Sequence, residues 1–420
     1  MPCDRNELTF MNLRTVDRRL ITILLIVFVG IVGASLILPI LPLYAQSQYH
    51  MSPALITLLN SSFFAAQFVA GPYLGRLSDR RGRLPVLIVS QIGTAISFVM
   101  LAFAPNVAWL FAARILDGIT GGNIIVAQAY VTDITPREQR TQSLGYIFAI
   151  FGLGFIIGPA LGGVISAAYG PQMPYIIAAV AAVLTVILTW FTLDETVTLA
   201  QRQQSSSATR PGLGLGAIMQ NYPLLLILGL AFFGQFGFGL FQSTFALYSE
   251  AILFQGYTHE AIGLGVGLLL AAVGVGQLLT QTLLLRPLLK RYGEARLVVI
   301  GATARTIGMF IFAVITTPWL GPLGSIFFAM GMGLLMPPLQ SLATSTVHDE
   351  LRGGVLGLYQ STANLAVIIS TAIAGVIFAL SPTLPFWLGG VLSLLLILPA
   401  LWLVRRTTAA KAVAPSIGGG

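Results

Sequence analysis

The sequence predicts an all-α polytopic membrane protein, in which twelve transmembrane helices form two pseudo-symmetric six-helix halves. Three observations predict this fold class. The chain of 420 residues is 56% hydrophobic with a mean hydropathy of +0.87, and soluble domains are less apolar. The charged residues, only 9% of the chain, cluster in short turns between long apolar runs. Several motifs of the first half recur in the second half at a constant offset.

Twelve apolar segments are long enough to cross a bilayer. A membrane-spanning helix needs about 20 such residues, because each backbone polar group must be satisfied within the segment. The predicted spans are residues 20–44, 54–75, 84–104, 107–131, 142–168, 172–193, 221–249, 261–285, 297–316, 320–346, 354–380 and 383–404. These spans leave no room for a water-soluble domain of useful size.

The spans divide the chain into five segments. They are an N-terminal tail at 1–19, a six-helix half at 20–193, a linker at 194–220, a second six-helix half at 221–404 and a C-terminal tail at 405–420. The linker is polar and rich in Ser and Gly, a composition typical of flexible tethers. We therefore expect it to tolerate substitution.

Basic residues predict the orientation of the bundle. Of the 22 Lys and Arg residues, all except Arg114 and Arg305 fall in tails and connections on one side of the membrane. Because such residues stay on the cytoplasmic side, we expect a multi-pass protein of the cell membrane with both termini in the cytoplasm. The net charge of +8 then reflects topology and contact with the lipid bilayer, and no nucleic-acid partner is expected. Cys3 is the single cysteine, so it cannot form an internal disulfide.

The most informative motif is the charged turn between the second and third spans, where residues 76–83 carry five charges in eight positions. This spacing resembles the signature loop of major facilitator superfamily transporters. The resemblance implies that Asp79 and Arg83 form a gating cluster with Asp133 at the cytoplasmic face and lock the outward-open state. The alternative is that they are loop charges that only fix topology. The predicted gating residues are Gly75, Asp79, Arg80, Gly82, Arg83 and Asp133.

The two halves share motifs at an offset of 211–212 residues. The aligned pairs are Glu138 and Glu350, Arg140 and Arg352, Leu144 and Leu356, Gly145 and Gly357, Gly82 and Gly293, and Gly163 and Gly375. Two six-helix halves in parallel orientation are the arrangement of the major facilitator fold. In that fold the substrate site lies between the halves near the midplane.

Three further stretches resemble the drug:proton antiporter branch of this superfamily, and within it the tetracycline-efflux-like group. They are Arg114-Ile-Leu-Asp-Gly118, Tyr130-Val-Thr-Asp133 and Gly154-Phe-Ile-Ile-Gly158-Pro159-Ala-Leu-Gly162-Gly163. The resemblance implies proton-coupled efflux of hydrophobic or amphipathic small molecules by alternating access. Gly30 and Arg305 stand where tetracycline-like exporters carry membrane aspartates. Tetracycline is therefore not the expected substrate, and any proton path uses other residues.

Asp117 is the candidate proton carrier, because it is the only carboxylate well inside a predicted span. A charge at that depth is costly, so such residues tend to be functional and to face the bundle interior. Arg114 lies three residues earlier on the same helical face. The pattern fits a titrating site, and it fits equally a permanent Arg–Asp pair that only neutralises itself.

The fifth span carries the motif that is typical of antiporters. Gly154, Gly158 and Gly162 have the small-xxx-small spacing that lets two helices touch along their backbones. Pro159 interrupts the hydrogen-bond ladder of the helix. Together with Gly163, these residues predict a helix that packs closely, bends, and seals one face of a cavity.

The seventh span predicts a wall of the substrate cavity. Gln235, Phe238, Gln242 and Phe245 recur at helical spacing, and aromatic walls with a few amides suit amphipathic, weakly specific ligands. The predicted substrate is an uncharged, cationic or zwitterionic amphipath. Arg305 could instead contact an anionic substrate group, or serve as a partner for polar groups of another helix. The alternative for the phenylalanines is contact with lipid.

Two other function classes compete with proton-coupled export. A lipid-type or proton-independent transporter is favoured by the missing acids at Gly30 and Arg305. A polytopic membrane enzyme would need converging catalytic groups, whereas His50, His259 and His348 all lie at or outside span ends. We expect no enzymatic activity, no cofactor and no metal, and a monomer that handles small-molecule substrates and protons.

Overall fold

The computed structural model describes residues 18–121, 123–136, 140–196, 215–347 and 351–413. Twelve of its helical segments are long and apolar enough to cross a membrane, which confirms the predicted fold class. They are α1 (Arg18–Leu36 and Ile40–Tyr49), α2 (Pro53–Arg81), α3 (Arg83–Ala102), α4 (Val107–Thr120 and Asn123–Ile134), α5 (Arg140–Tyr169), α6 (Met173–Thr192), α7 (Tyr222–Tyr248, continued by the π-helical turn Ser249–Leu253), α8 (His259–Leu279, continued by the π-helical turn Thr280–Leu284 and by Leu285–Tyr292), α9 (Glu294–Val314), α10 (Gly321–Ser345), α11 (Arg352–Leu380) and α12 (Leu384–Leu395 and Ile397–Val413). Short helices at Leu215–Gln220 and Pro318–Leu320 precede α7 and α10.

Two glycines make the equivalent turn in each half. Gly82 ends α2 and begins α3 with φ +108°, and Gly293 does the same between α8 and α9 with φ +76°. Only glycine adopts such backbone angles without strain. The sequence repeat pairs these two residues, so the weak second copy of the charged turn has the same geometry as the first.

The helices of the two halves pack in the same pattern. In the N-terminal half α1 contacts α5 and α6, α2 contacts α4, and α3 contacts α4 and α6. In the C-terminal half α7 contacts α11 and α12, α8 contacts α10, and α9 contacts α10 and α12. Each pair in one half is therefore matched by the pair six helices later.

The halves contact each other mainly along two helix pairs, α2 with α11 and α5 with α8. In the first pair, the Gly375 amide donates to Thr57 Oγ1 at 2.9 Å, and Ser61 Oγ donates to the Ile368 carbonyl at 3.0 Å. Thr57 and Ser61 lie in the first third of α2, far along the helix from the Gly82 turn. The α2–α11 contact thus closes the end of the bundle opposite the charged turn.

Candidate functional site

The charged turn forms a compact ionic cluster within the N-terminal half. Arg83 Nη1 lies 2.6 Å from Asp79 Oδ1, and Arg83 Nε lies 3.0 Å from Asp133 Oδ2 at the end of α4. Arg83 Nη1 also donates to Ser78 Oγ at 2.7 Å. Arg80 is exposed. The cluster therefore brings three of the predicted gating residues together, and its contacts link α2, α3 and α4 of the N-terminal half.

Glu195 completes this cluster, although sequence reasoning assigned it to the linker. Its carboxylate accepts from the backbone N–H groups of Arg83 at 2.9 Å and Leu84 at 3.2 Å, the first residues of α3. An acid at a helix N-terminus satisfies unpaired N–H groups and complements the helix dipole. Thr196 Oγ1 donates to Asp133 Oδ2 at 3.1 Å. The usable signal was an Asp-Glu-Thr run directly after α6, on the side of the basic turns.

Arg114 and Asp117 form a buried ion pair inside α4. Arg114 Nη1 lies 2.7 Å from Asp117 Oδ2, and the two residues are only 7% and 4% exposed. The guanidinium also lies over the Phe63 ring of α2, with Cζ 4.2 Å from the ring centroid. Gly118 permits this contact, because a Cβ there would lie 2.8 Å from Ala66 Cβ and closer still to the Phe63 carbonyl.

Buried polar residues of α3 continue from this pair, and sequence reasoning missed them. Ser97 faces Asp117. One turn nearer the N-terminus of α3, Thr94 Oγ1 lies 3.1 Å from Thr120 Oγ1 of α4. Ser90 and Gln91 follow, buried. The signal was a row of small polar residues at helical spacing in an otherwise apolar span, which indicates a face turned toward protein rather than lipid.

The predicted glycine ladder of α5 packs against α1. A Cβ at Gly158 would overlap Ser35 of α1, and a Cβ at Gly154 would lie 3.0 Å from Ile31 Cβ. Ser35 Oγ donates to the Gly154 carbonyl at 2.8 Å. Gly162 approaches the Leu36 carbonyl in the same way. The ladder therefore holds two helices of one half together.

The neighbouring face of α5 contacts α8 in the other half. A Cβ at Gly163 would lie 2.8 Å from the Gly263 carbonyl oxygen, and one at Gly267 would lie 2.5 Å from the Pro159 carbonyl oxygen. Gly274 approaches Ile156 equally closely. The α8 glycines were not among the predicted residues, although their small-xxx-small spacing was present in the sequence.

The predicted face of α7 divides into two environments. Gln235, Phe238 and Gln242 are half-buried, and the Oε1 atoms of both amides are buried without a hydrogen-bond partner in the described structure. Phe245 differs from the prediction. It is 1% exposed and packs at 4.6 Å between ring centroids against Phe241, because the residues of this helix that face α9 and α10 form an aromatic core.

Arg305 of α9 is fully buried in the C-terminal half. Its Nη2 donates to the Gly234 carbonyl of α7, and its Nη1 lies 3.7 Å from Met332 Sδ of α10. The guanidinium also lies over the Phe328 ring at 5.7 Å. Its Nε is buried without a hydrogen-bond partner in the described structure.

Comparison with known proteins places this architecture in a family. The family model described as Major Facilitator Superfamily matches residues 23–267 and 251–419. The chain is 31% identical to the class C tetracycline resistance protein of Escherichia coli over 92% of this chain and 96% of that protein. It is 27% identical to multidrug resistance protein 2 of Bacillus subtilis over 91% and 95% of the two chains.

Solved structures show the same fold at lower identity. The human organic anion transporter MFSD10 superposes with a TM-score of 0.64 at 22% identity, over 91% of this chain and 99% of that one. The nucleoside transporter NupG superposes with a TM-score of 0.74 at 16% identity, over 93% and 99%. The chain therefore belongs to the major facilitator superfamily and is a multi-pass membrane transporter.

Proposed function

We propose that this transporter exports hydrophobic or amphipathic small molecules in exchange for protons. The observation that carries the proposal is the buried Arg114–Asp117 pair, a titratable group at membrane depth within one of two matched halves. The tetracycline and multidrug resistance proteins that resemble the chain over most of its length support an export role.

Alternating access is supported by the position of the contacts between halves. The hydrogen bonds between α2 and α11 lie at the end opposite the charged turn. With both termini in the cytoplasm, this end is extracellular and the conformation faces inward. We propose that the Asp79–Arg83–Asp133 cluster, whose ion pairs here stay within the N-terminal half, engages the C-terminal half in the opposite, outward-facing state.

The coupled proton is proposed to bind Asp117. While Asp117 is ionised, Arg114 holds it as a buried pair, which is tolerated because each charge compensates the other. Protonation removes the attraction and leaves the Arg114 guanidinium free to take another partner. Loading and unloading of the proton would thus change the packing of α4 against α2, where Gly118 makes the closest approach.

Proteoliposomes test the proposal most directly. The purified protein is expected to accumulate an amphipathic fluorescent substrate when a pH gradient is imposed, and only to equilibrate it when the gradient is collapsed. A proton-independent or lipid-type transporter is the second candidate, because Gly30 replaces the first-span acid of tetracycline-like exporters. Identical transport with and without the gradient would establish that candidate and exclude proton coupling. We further propose that the functional unit is a monomer.

A further inference from the structure

We infer that Arg305 is an anion-binding group and that the exported amphipath carries an acidic function, a carboxylate, sulfonate or phosphate. The inference rests on the proposed export function and defines its substrate class. It replaces the charge class expected from the sequence, which was uncharged, cationic or zwitterionic, and takes up the alternative that Arg305 contacts an anionic substrate group. The argument depends on the charge balance of the C-terminal half, the unused donors of Arg305, and the residues between its guanidinium and the α7 face.

The positive charge of Arg305 has no counter-charge in the described structure. None of the four ion pairs among the described residues includes a residue of the C-terminal half. In the described part of the C-terminal half, Glu250 and Glu260 flank the α7–α8 connection. Glu294, at the start of α9, accepts a hydrogen bond from Ser341 of α10. Arg114, by contrast, has Asp117 at 2.7 Å. A buried cation without a partner is strongly unfavourable, so an anion that reaches Arg305 gains free energy there.

The guanidinium of Arg305 retains unused hydrogen-bond donors. Arginine has five N–H groups in a planar fork. One of them is used by the Gly234 carbonyl, and another faces a thioether sulfur, which is a weak acceptor. The Nε–H group has no acceptor in the described structure. Carboxylate, sulfonate and phosphate oxygens match this fork in bidentate fashion, whereas an amide or a cation does not.

Glycines bring the backbones of α7 and α10 close to Arg305. A Cβ at Gly237 would lie 2.7 Å from Arg305 Nη2, and one at Gly234 would lie 3.8 Å from Nη1. Gly331 of α10 makes room for the Arg305 backbone itself. Two helices, α7 and α10, therefore pack against Arg305 through residues without side chains, so these positions supply no polar side chain to the guanidinium.

An aromatic stack connects Arg305 to the half-buried face of α7. Phe328 lies beside the guanidinium and is nearly parallel to Phe238, at 14° and 6.4 Å between centroids; it also stacks on the buried Phe241 at 4.0 Å. Gln235 and Gln242 share the α7 face with Phe238. An amphipath whose ring lies beside Phe238 can direct its acid toward Arg305, while the unpartnered amide oxygens accept any N–H or O–H groups that it carries.

Access to Arg305 requires α7 and α10 to separate, since the guanidinium is fully enclosed in the present conformation. Pro337 and Pro338 lie inside α10, shortly after Met332, and prolines in a helix interior are sites of bending. A ligand that binds only the separated arrangement shifts the population toward it. The acid group would therefore promote the conformational change as well as define the substrate.

Three probes on one scaffold test the inference in proteoliposomes under a pH gradient: 2-naphthoate, its primary amide and 2-naphthylmethylammonium. The wild type is expected to transport the acid with an apparent KM about tenfold lower than that of the amide, and about tenfold is what a single charge-assisted contact supplies. Arg305→Gln should lose this advantage and leave transport of the amide within about twofold. Arg305→Lys should restore part of it. Arg296→Gln, an exposed arginine of the same helix, is the matched control and should behave as wild type.

Thermal stabilisation of the detergent-solubilised wild type is the second measurement, and it does not depend on the folding of any variant. Naphthoate should raise the unfolding temperature more than the amide does, in gluconate as well as in chloride buffer. Equal stabilisation by acid and amide, or equal loss of all three probes in a folded Arg305→Gln variant, would overturn the inference. Stabilisation by chloride alone, without transport of naphthoate, would make Arg305 an inorganic-anion site and overturn it too. Absence of transport for all three probes would instead contradict the export function, while the thermal comparison would still decide the anion site.

Discussion

At the scale of single residues, two buried arginines define the electrostatics of the two halves. Arg114 is neutralised within its own helix by Asp117, whereas Arg305 contacts a carbonyl, a thioether and an aromatic ring. Burying a charge at membrane depth costs about 2.5–3.5 kcal/mol on insertion scales. An ion pair offsets this cost within the protein, whereas an unpaired cation needs a bound anion to offset it. The two halves have similar helices and different charge chemistry.

Replacing Asp117 with Asn should abolish pH-driven export and leave substrate exchange intact. The amide preserves the shape of the side chain and still offers an oxygen to Arg114, but it cannot bind a proton. Exchange across the membrane requires no net proton movement, so it should continue. Accumulation and counterflow assays in proteoliposomes measure the two activities separately. Glu260→Gln, a fully exposed acid, is the control. A variant that still concentrates substrate under a pH gradient would show that the proton binds elsewhere.

Replacing Arg83 with Ala, or Asp79 with Asn, should reduce transport strongly without loss of expression. The Arg83 side chain is only 12% exposed, and removal of one partner from a partly buried pair costs on the order of 1 kcal/mol. If this loss falls on one conformation only, transport should fall by roughly fivefold. Initial rates at equal protein density check the prediction. Arg80→Ala removes an exposed charge of the same turn and should have no effect. Equal rates for all three variants would exclude the gating role.

Glu195→Gln should destabilise the N-terminal half rather than alter substrate preference. The carboxylate accepts two hydrogen bonds at the start of α3, and loss of a good helix cap costs about 1 kcal/mol. A lower unfolding temperature with an unchanged ranking of substrates is the expected result. A change in substrate ranking at unchanged stability would assign Glu195 to the transport site instead.

At the scale of helices, α5 packs both within the N-terminal half and against the C-terminal half. One of its faces packs on α1 through Gly154, Gly158 and Gly162, and the adjacent face packs on α8 through Gly163 and the Pro159 carbonyl. The first contact lies within a half and the second lies between halves. Motion of the halves must therefore break the α8 contact while the α1 contact remains, which assigns different roles to neighbouring glycines of one motif.

Gly267→Val should disfavour the present conformation and slow transport, because its side chain would meet the Pro159 carbonyl. Gly263→Ala on the same helix is the matched control, since a Cβ there meets nothing within 4 Å. Accessibility of single cysteines near Thr57 to a membrane-impermeant thiol reagent reports closure of that end. Higher labelling in Gly267→Val than in Gly263→Ala is expected, and the same labelling in both would show that α5–α8 packing does not determine the state.

The sequence predicted the positions of the helices better than it predicted the neighbours against which they pack. Hydropathy located all twelve spans, and the alignment of Gly82 with Gly293 identified the shared turn. Glycine spacing predicted that α5 packs closely, but not that it contacts both α1 and α8, because a small-residue face does not specify its neighbour. Phe245 shows the same limit. Helical periodicity grouped it with Phe238, and only the position of α9 and α10 placed it in the core. The roles of Asp79, Asp117 and Arg305 remain predictions.

At the scale of the whole molecule, the symmetry of the packing explains which contacts can move. The contacts within each half repeat six helices later, whereas the halves meet mainly through α2–α11 and α5–α8. These two interfaces are exchanged by the same repeat, since α2 corresponds to α8 and α5 to α11. A rocking motion of two matched bodies about these interfaces preserves the internal packing and alternates the end that is closed.

Joining the halves at the closed end should stop transport reversibly. With Cys3 first replaced by Ser, cysteines at Ser61 of α2 and Ile368 of α11 place two thiols across a contact where the native hydroxyl lies 3.0 Å from the opposing carbonyl. A short reducible cross-linker should trap this conformation, because α2 and α11 must separate there when the opposite end closes. Transport should return on reduction, and each single-cysteine variant should be insensitive to the reagent. Undiminished transport after complete cross-linking, measured by the mobility of a protease-cleaved chain, would mean that the halves do not part at this interface and that the proposed alternation is wrong.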